Sequence, residues 1–188
     1  MNTADRLVAA AAELLDSGGE VAVTLRAVAA ATGVSHNAPY KHFPSRDDLL
    51  AAVAAADFDA MAAEWVRIRT SPSTPAERLA NALDVLVKFG REHPARYGLL
   101  FNSPELAGRE GPLRFAAEEA LDQFAAIIED QQNTGDLPAA PADHLAVLLA
   151  ATAHGLINAD AGGRLRRRTN WAGVGDGLQT LIKLLSNH

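Results

Sequence analysis

Residues 24–50 read TLRAVAAATGVSHNAPYKHFPSRDDLL, and this stretch decides the fold. Leu25, Val28 and Ala29 form a helical stripe that Gly33 closes and that is too short to hold alone. Thr24 is a good N-cap for it. After Gly33 come a second cap residue at Ser35, a polar segment ending Tyr40-Lys41-His42-Phe43, and a fresh helix start at Pro44-Ser45. A short helix, a turn and another short helix make the grammar of a helix-turn-helix, the motif that lays one helix in the DNA major groove. Pro39 sits awkwardly in that second helix. With Ser35 as N-cap, its missing N–H would have bonded to the Ser35 carbonyl, so the first of about two turns is predicted to be distorted or 3₁₀-like. Val34 and Phe43 are the expected core anchors.

Upstream, Leu7, Val8, Ala11, Leu14 and Leu15 predict a helix over 3–17, stopped at Gly18-Gly19. Downstream, Ser45 and Asp48 resemble a capping box opening a long helix near Arg46. Its stripe of Leu50, Val53, Ala54, Phe58, Met61, Trp65 and Ile68 lasts until the breakers Thr70 to Pro75. A fifth helix starts at Thr74-Pro75-Ala76-Glu77, carries Leu79, Leu83, Leu86 and Val87, and ends at His93-Pro94. A short sixth covers Ala95 to Phe101. After a loop over 102–112, Leu113, Ala117, Ala120, Leu121, Phe124, Ile127 and Ile128 mark a seventh. The eighth, Ala142 to about Ala161, is apolar nearly all round and so should be buried on more than one side. Leu178, Leu181, Ile182 and Leu185 mark the last. With no convincing strand or internal repeat, the expectation is an all-α chain of about nine helices. A three-helix unit spans 1–48, and the long fourth helix joins it to a helical remainder over 49–188.

The chain has 188 residues, 48% of them hydrophobic, and no cysteine. Disulfides, thiolate metal sites and cysteine nucleophiles are therefore excluded together, and a reducing cytoplasm is the expected compartment. The N-terminus lacks a leader pattern and the longest apolar run, Leu145 to Ala159, is too short to span a bilayer, so a soluble, unprocessed protein without membrane contact is expected. The formal net charge of −6 runs against a nucleic-acid binder. Placement offsets this. Of Arg6, Arg26, Lys41 and Arg46, the last three fall within 24–50, whereas Asp5, Glu13, Asp16 and Glu20 fall outside it. No nucleophile–base pair, paired catalytic carboxylates, glycine-rich phosphate loop or histidine cluster emerges, so neither an enzyme nor a metal or other cofactor is expected.

The ordering of elements resembles the TetR/AcrR family of transcriptional regulators. So do the words Thr24-Leu25-Arg26-Ala27-Val28-Ala29, Gly33-Val34-Ser35 and Tyr40-Lys41-His42-Phe43-Pro44-Ser45-Arg46-Asp47-Asp48-Leu49, set against that family's T-x-R-x-I-A, G-V-S and Y-x-H-F-x-S-K-E-x-L. Glu92-His93-Pro94-Ala95-Arg96-Tyr97 and His154-Gly155 are similar to words in one subgroup of its ligand domains. Asn37-Ala38-Pro39 departs from the frequent Gly-Thr-Leu, which sets base preference apart. The resemblance implies a homodimeric, ligand-responsive DNA-binding regulator, a repressor on a pseudo-palindromic double-stranded operator. Its third helix would lie in the major groove, with Asn37 suited to adenine and His36 to a base edge or phosphate. Thr24, Arg26, Tyr40, Lys41 and Arg46 suit the surface that meets phosphates, assisted by the N-terminus of the fourth helix. Ser35 is a cap first and a phosphate donor second. His42 reaches phosphate or merely caps.

In the remainder, a small, largely apolar effector would enter a pocket walled by Phe89, Phe101 and Phe124, with His154 and Asn158 one turn apart as its polar pair. The alternative for that pair is a buried histidine hydrogen-bonded across a helix interface. Leu145, Leu149, Leu178, Leu181, Ile182 and Leu185 are the expected dimer contacts on the last two helices. The basic run Arg164, Arg166, Arg167 and Arg168 reads as a solvated loop. Two rival functions stay open: a regulator controlled by a protein partner, and an all-helical small-molecule binder without DNA function.

Overall fold

The computed structural model describes residues 2–106, 108–165 and 171–186. Among them the regular elements are all helical: α1 (Thr3–Gly18), α2 (Leu25–Thr32), α3 (Arg46–Arg69), α4 (Pro75–Glu92), α5 (Pro94–Asn102), α6 (Pro112–Gln132), α7 (Ala142–Ala161) and α8 (Val174–Leu185), with 3₁₀ turns at Glu20–Ala22 and Pro39–Lys41. Eight α-helices stand where about nine were expected, because the segment after Ser35 does not form one.

Local chemistry starts most of these helices. Asn2 and Asp5 make a capping box on α1 that the sequence reading passed over, with Asn2 Oδ1 accepting from the Asp5 amide at 3.0 Å and Asp5 Oδ2 from the Asn2 amide at 2.9 Å. Thr24 Oγ1 accepts from the Ala27 amide at 3.0 Å and caps α2. Ser45 with Asp48, and Thr74 with Glu77, close the expected boxes on α3 and α4. Gly33 ends α2 at φ 68°, a left-handed conformation that a side chain would strain. Of the glycines at the start of α8, Gly177 has a packing reason, since the Trp171 ring occupies the space a side chain there would need.

The chain packs as two units: Met1–Phe58 with His93–Ala117, and Asp59–Glu92 with Glu118–His188. The first is built on Leu7, Leu15, Val28, Phe43, Leu49 and Val53, and α5, the following loop and the start of α6 join it through Leu99, Leu106 and Leu113. In the second, α4, α7 and α8 pack on one another. Leu79, Leu83, Phe124, Ile127, Leu149 and Leu178 are buried there. Phe124 stacks on Trp65 at 5.1 Å and 27°, and Trp65 Nε1 donates to the Ala82 carbonyl at 3.0 Å, so the indole is both packed and satisfied. Of the basic run, Arg164 is exposed, and Arg166, Arg167 and Arg168 lie outside the described residues. Among the described residues no helix is long and apolar enough to cross a membrane.

Because Phe124 is completely buried, Phe124→Ala should lower stability by about 3–5 kcal/mol through lost contacts and a residual cavity. Urea unfolding followed by circular dichroism measures this, and a midpoint unchanged from the parent would contradict the packing described.

Candidate nucleic-acid interface

The exposed polar strip of the first unit begins at Thr24 and runs through the turn to His42. Thr24, Arg26, Ser35, His36, Asn37, Tyr40, Lys41 and His42 are all exposed, with Tyr40 at 57%. Their backbone is anchored from below by Pro39 and Phe43, both buried, and by Val34, which packs against the same core. This division explains the side-chain pattern: the apolar residues hold the segment down, and the polar ones are left to face out.

The segment forms no two-turn α-helix, and the 3₁₀-like geometry expected of its first turn is the geometry it adopts. Pro39 lacks the N–H that an α-helix would direct to Ser35, and the Ser35 carbonyl instead accepts from the Ala38 amide at 2.9 Å. The tighter pattern continues as Ala38 accepts from Lys41 at 3.2 Å and Pro39 from His42 at 2.9 Å. Ala38, not Ser35, occupies the cap position of the resulting 3₁₀ turn. His36 and Asn37 therefore project from a turn rather than from a helix face.

Arg46 departs from its expected role as a phosphate contact. Its Nε donates to the Val23 carbonyl at 2.8 Å and its Nη2 to the Glu20 carbonyl at 2.6 Å, with the Glu20 carboxylate at 3.4 Å and Asp47 at 3.8 Å. It is a strut that ties the start of α3 to the α1–α2 connection. Arg6 is committed similarly, donating to the Thr32 carbonyl at 2.8 Å at the end of α2. The N-terminus of α3 is likewise occupied from within. Ser45 caps it, and Asp48 is held by Ser45 and by Arg109 from the loop before α6. The Ser45 hydrogen bond, then Arg109, holds the Asp48 carboxyl below the usual carboxylate range. Carboxylates thus already stand where an incoming anion would go.

The expected effector and dimer residues fall as follows. Phe124 is the stacking partner of Trp65, Phe89 is half-buried on α4, and Phe101 belongs to the first unit, edge-on to Phe58 at 5.8 Å. His154 and Asn158 are hydrogen-bonded at 2.8 Å, the amide donating to Nε2, and burial holds the His154 pKa below its ordinary value. Leu145, Leu149 and Leu178 are buried within their own chain. Ile182 lines a 230 Å³ cleft between α4 and α8, and Leu181 and Leu185 are half-buried. Val147 at 51%, Leu148 at 62% and Leu184 at 69% are exposed large apolar side chains of α7 and α8.

One charged group escaped the sequence reading. Asp57 is 5% exposed and is met by Arg96. Its signal was present: it falls three and four residues after Ala54 and Val53, inside the apolar stripe of α3.

A family model for bacterial regulatory proteins of the tetR family matches residues 7–53, and one for the Tetracyclin repressor-like C-terminal domain matches residues 79–177. Among solved structures, a protein with unknown function from Rhodococcus sp. RHA1 aligns at TM-score 0.81 and 28% identity over 100% of this chain and 97% of that one. A transcriptional regulator of the TetR/AcrR family from Thermobifida fusca YX-ER1 aligns at TM-score 0.67 and 20% identity over 98% and 96%. RolR in complex with resorcinol aligns at TM-score 0.71 and 18% identity over 98% and 87%. The latter two speak for the fold alone. No curated protein matches this chain.

With Arg6 and Arg46 engaged internally, Arg26 and Lys41 are the exposed cations of the strip. For a dimer on duplex DNA, the slope of log affinity against log salt should then be no steeper than about −4. Lys41→Ala should flatten it by about two. Fluorescence anisotropy across a salt series measures both, and a much steeper slope, or one indifferent to Lys41, would exclude this phosphate-contact set.

Proposed function

This chain belongs to the TetR family of bacterial regulatory proteins, and from that premise we propose that it is a homodimeric repressor whose grip on an operator is released by a small effector. The observation that carries the reading is the exposed strip Thr24–His42, mounted on buried Pro39 and Phe43. Asn37 is suited to pair with adenine through its two-headed amide, and His36 to meet a neighbouring base edge. Thr24, Ser35, Tyr40, Lys41 and His42 supply contacts to phosphate, which fix register but not sequence. Arg26 adds charge at the start of α2. The protein acts on DNA in the cytoplasm, without catalysis of its own.

A meagre set of cations makes one copy a weak binder, so association of two copies is integral to the reading. The face suited to it lies on the exposed side of α7, where Val147, Leu148, Ala151 and Gly155 share a stripe, and Leu184 of α8 is exposed as well. The small residues Ala151 and Gly155 leave room for a second helix to approach. This stripe replaces Leu145, Leu149 and Leu178, which their own chain already covers.

For the effector, the half-buried His154–Asn158 pair offers an uncharged imidazole and an amide in the second unit, whose aromatic residues include Phe89 and Phe124. A small, largely apolar molecule with one or two polar groups matches that chemistry. It would release DNA only by binding the released state better, by about 5.5 kcal/mol for a full reversal of populations.

Selection from random duplexes should recover a palindrome, and replacing Asn37 with alanine should cost about 1–3 kcal/mol in binding it and relax one position in each half-site. Recovery of no enriched sequence would remove the operator reading. Leu148→Glu combined with Leu184→Glu should give monomers by sedimentation while preserving helicity, and a surviving dimer would place the interface elsewhere. In a thermal-shift screen of small hydrophobic compounds, a hit on this site loses its stabilisation in His154→Ala. Equal shifts in both proteins would leave His154 with packing alone.

A further inference from the structure

A cavity of 370 Å³ opens in the first unit beside the exposed strip. Three stretches wall it: the end of the reading turn at His42 and Phe43, the first turns of α3, and the loop that leads into α6. All of its lining residues belong to the first unit, whereas His154 and Asn158 belong to the second. The space exists because α3 turns two alanines, Ala51 and Ala52, toward that loop. Phe43, Ala51 and Leu113 are buried and give the cavity an apolar floor, while His42 and Glu110 stand exposed at its lip. Apolar walls with a few polar groups, at a volume of this order, are the form of small-molecule sites.

Hydrogen-bonding capacity around the lip decides which chemistry fits. Asp48 has both oxygens engaged: Oδ2 accepts from the Ser45 amide at 3.0 Å and from its hydroxyl at 2.7 Å, and Oδ1 accepts from Arg109 Nη2. Glu110 is engaged too, accepting with both oxygens from Arg114 Nη1 at 2.9 and 2.7 Å. The surplus is therefore on the donor side. A guanidinium carries more N–H groups than one contact uses, and among the described residues Asp48 is the side-chain partner of Arg109. Asp48 thus fixes the guanidinium at the cavity wall and leaves part of its planar fork to match a carboxylate.

We propose that this cavity is a small-molecule site, separate from the His154–Asn158 pair, for an apolar monocarboxylate. The carboxylate lies on Arg109, with His42 as a further donor, and the apolar body lies on Phe43, Ala51 and Leu113. The N-terminus of α3 takes no part, since Asp48 and Ser45 already occupy it. His42 belongs both to the cavity and to the exposed strip. An occupant therefore sets a negative charge against the phosphates the strip would meet, and competes with DNA within the one unit. That competition rests on the DNA-binding reading above; binding of the acid does not.

The test is a ligand-observed NMR titration of the full chain without DNA, using sodium benzoate against the neutral benzamide and the cationic benzylamine. Benzoate should bind about tenfold or more tightly than either, the worth of a charge-assisted contact. Arg109→Gln should lose that advantage, Ala52→Phe should close the cavity from the α3 side, and Glu110→Gln should tighten binding by removing the like charge at the lip. His154→Ala should leave the titration unchanged. Circular dichroism checks that each variant is folded. No benzoate binding by the parent, equal binding of benzylamine, binding that survives Arg109→Gln, or binding lost in His154→Ala overturns the proposal. With the duplex recovered by selection, saturating benzoate should weaken binding by about fivefold in the parent, the penalty of one like charge close by in water, and leave Arg109→Gln unaffected. An operator affinity indifferent to benzoate overturns the competition. A parent that binds benzoate but no duplex upholds the site and removes the operator reading, and the competition with it.

Discussion

A carboxylate as enclosed as Asp57 costs several kcal/mol to desolvate unless a cation is enclosed with it. That requirement draws Arg96, and with it the first turn of α5, onto α3. Because the same guanidinium also reaches Asp16 at the end of α1, one constraint joins three helices that lie far apart in sequence. It helps explain why residues after His93 pack with the N-terminal helices rather than with their neighbours in the chain. The pairing also relieves Asp16, whose negative charge at a helix C-terminus would otherwise oppose the local dipole.

Charge in the DNA-facing unit is allocated inward before it is offered outward. Arg6 holds the end of α2, Arg46 holds the turn before it, Arg96 holds α1 and α3, and Arg109 holds Asp48. A chain with a net charge of −6 is therefore left with a sparse cationic strip, set among exposed hydroxyl, amide and imidazole groups. Such groups reward correct geometry more than bulk charge, since a misaligned hydrogen bond weakens steeply. Two copies held at a fixed spacing fit that chemistry better than one tight monomer.

The reading segment shows how a single residue changes an element without destroying its site. Pro39 forbids the α-helical bond to Ser35, and the backbone answers with bonds one residue shorter. The same proline is buried, so it anchors the turn that it tightens. The family words on either side persist, while His36 and Asn37 are presented from a different backbone. The backbone of this turn is accordingly where the chain departs from the pattern it resembles.

The sequence by itself determined the helix order and most helix boundaries, because caps and breakers act within a few residues. Thr24, Ser45 with Asp48, and Thr74 with Glu77 all make the bonds their spacing predicts. It also determined the family and the 3₁₀-like character of the third element. Tertiary structure alone decided which partner each long side chain takes. Arg46 finds carbonyls more than twenty residues away, and Arg96 finds Asp57 across 39. No local spacing encodes such pairs. The outer face of α7 was undecidable for a related reason: a helix apolar nearly all round has no preferred side until its neighbours cover one. Packing buried Leu145 and Leu149, and what remained outside was Val147 and Leu148.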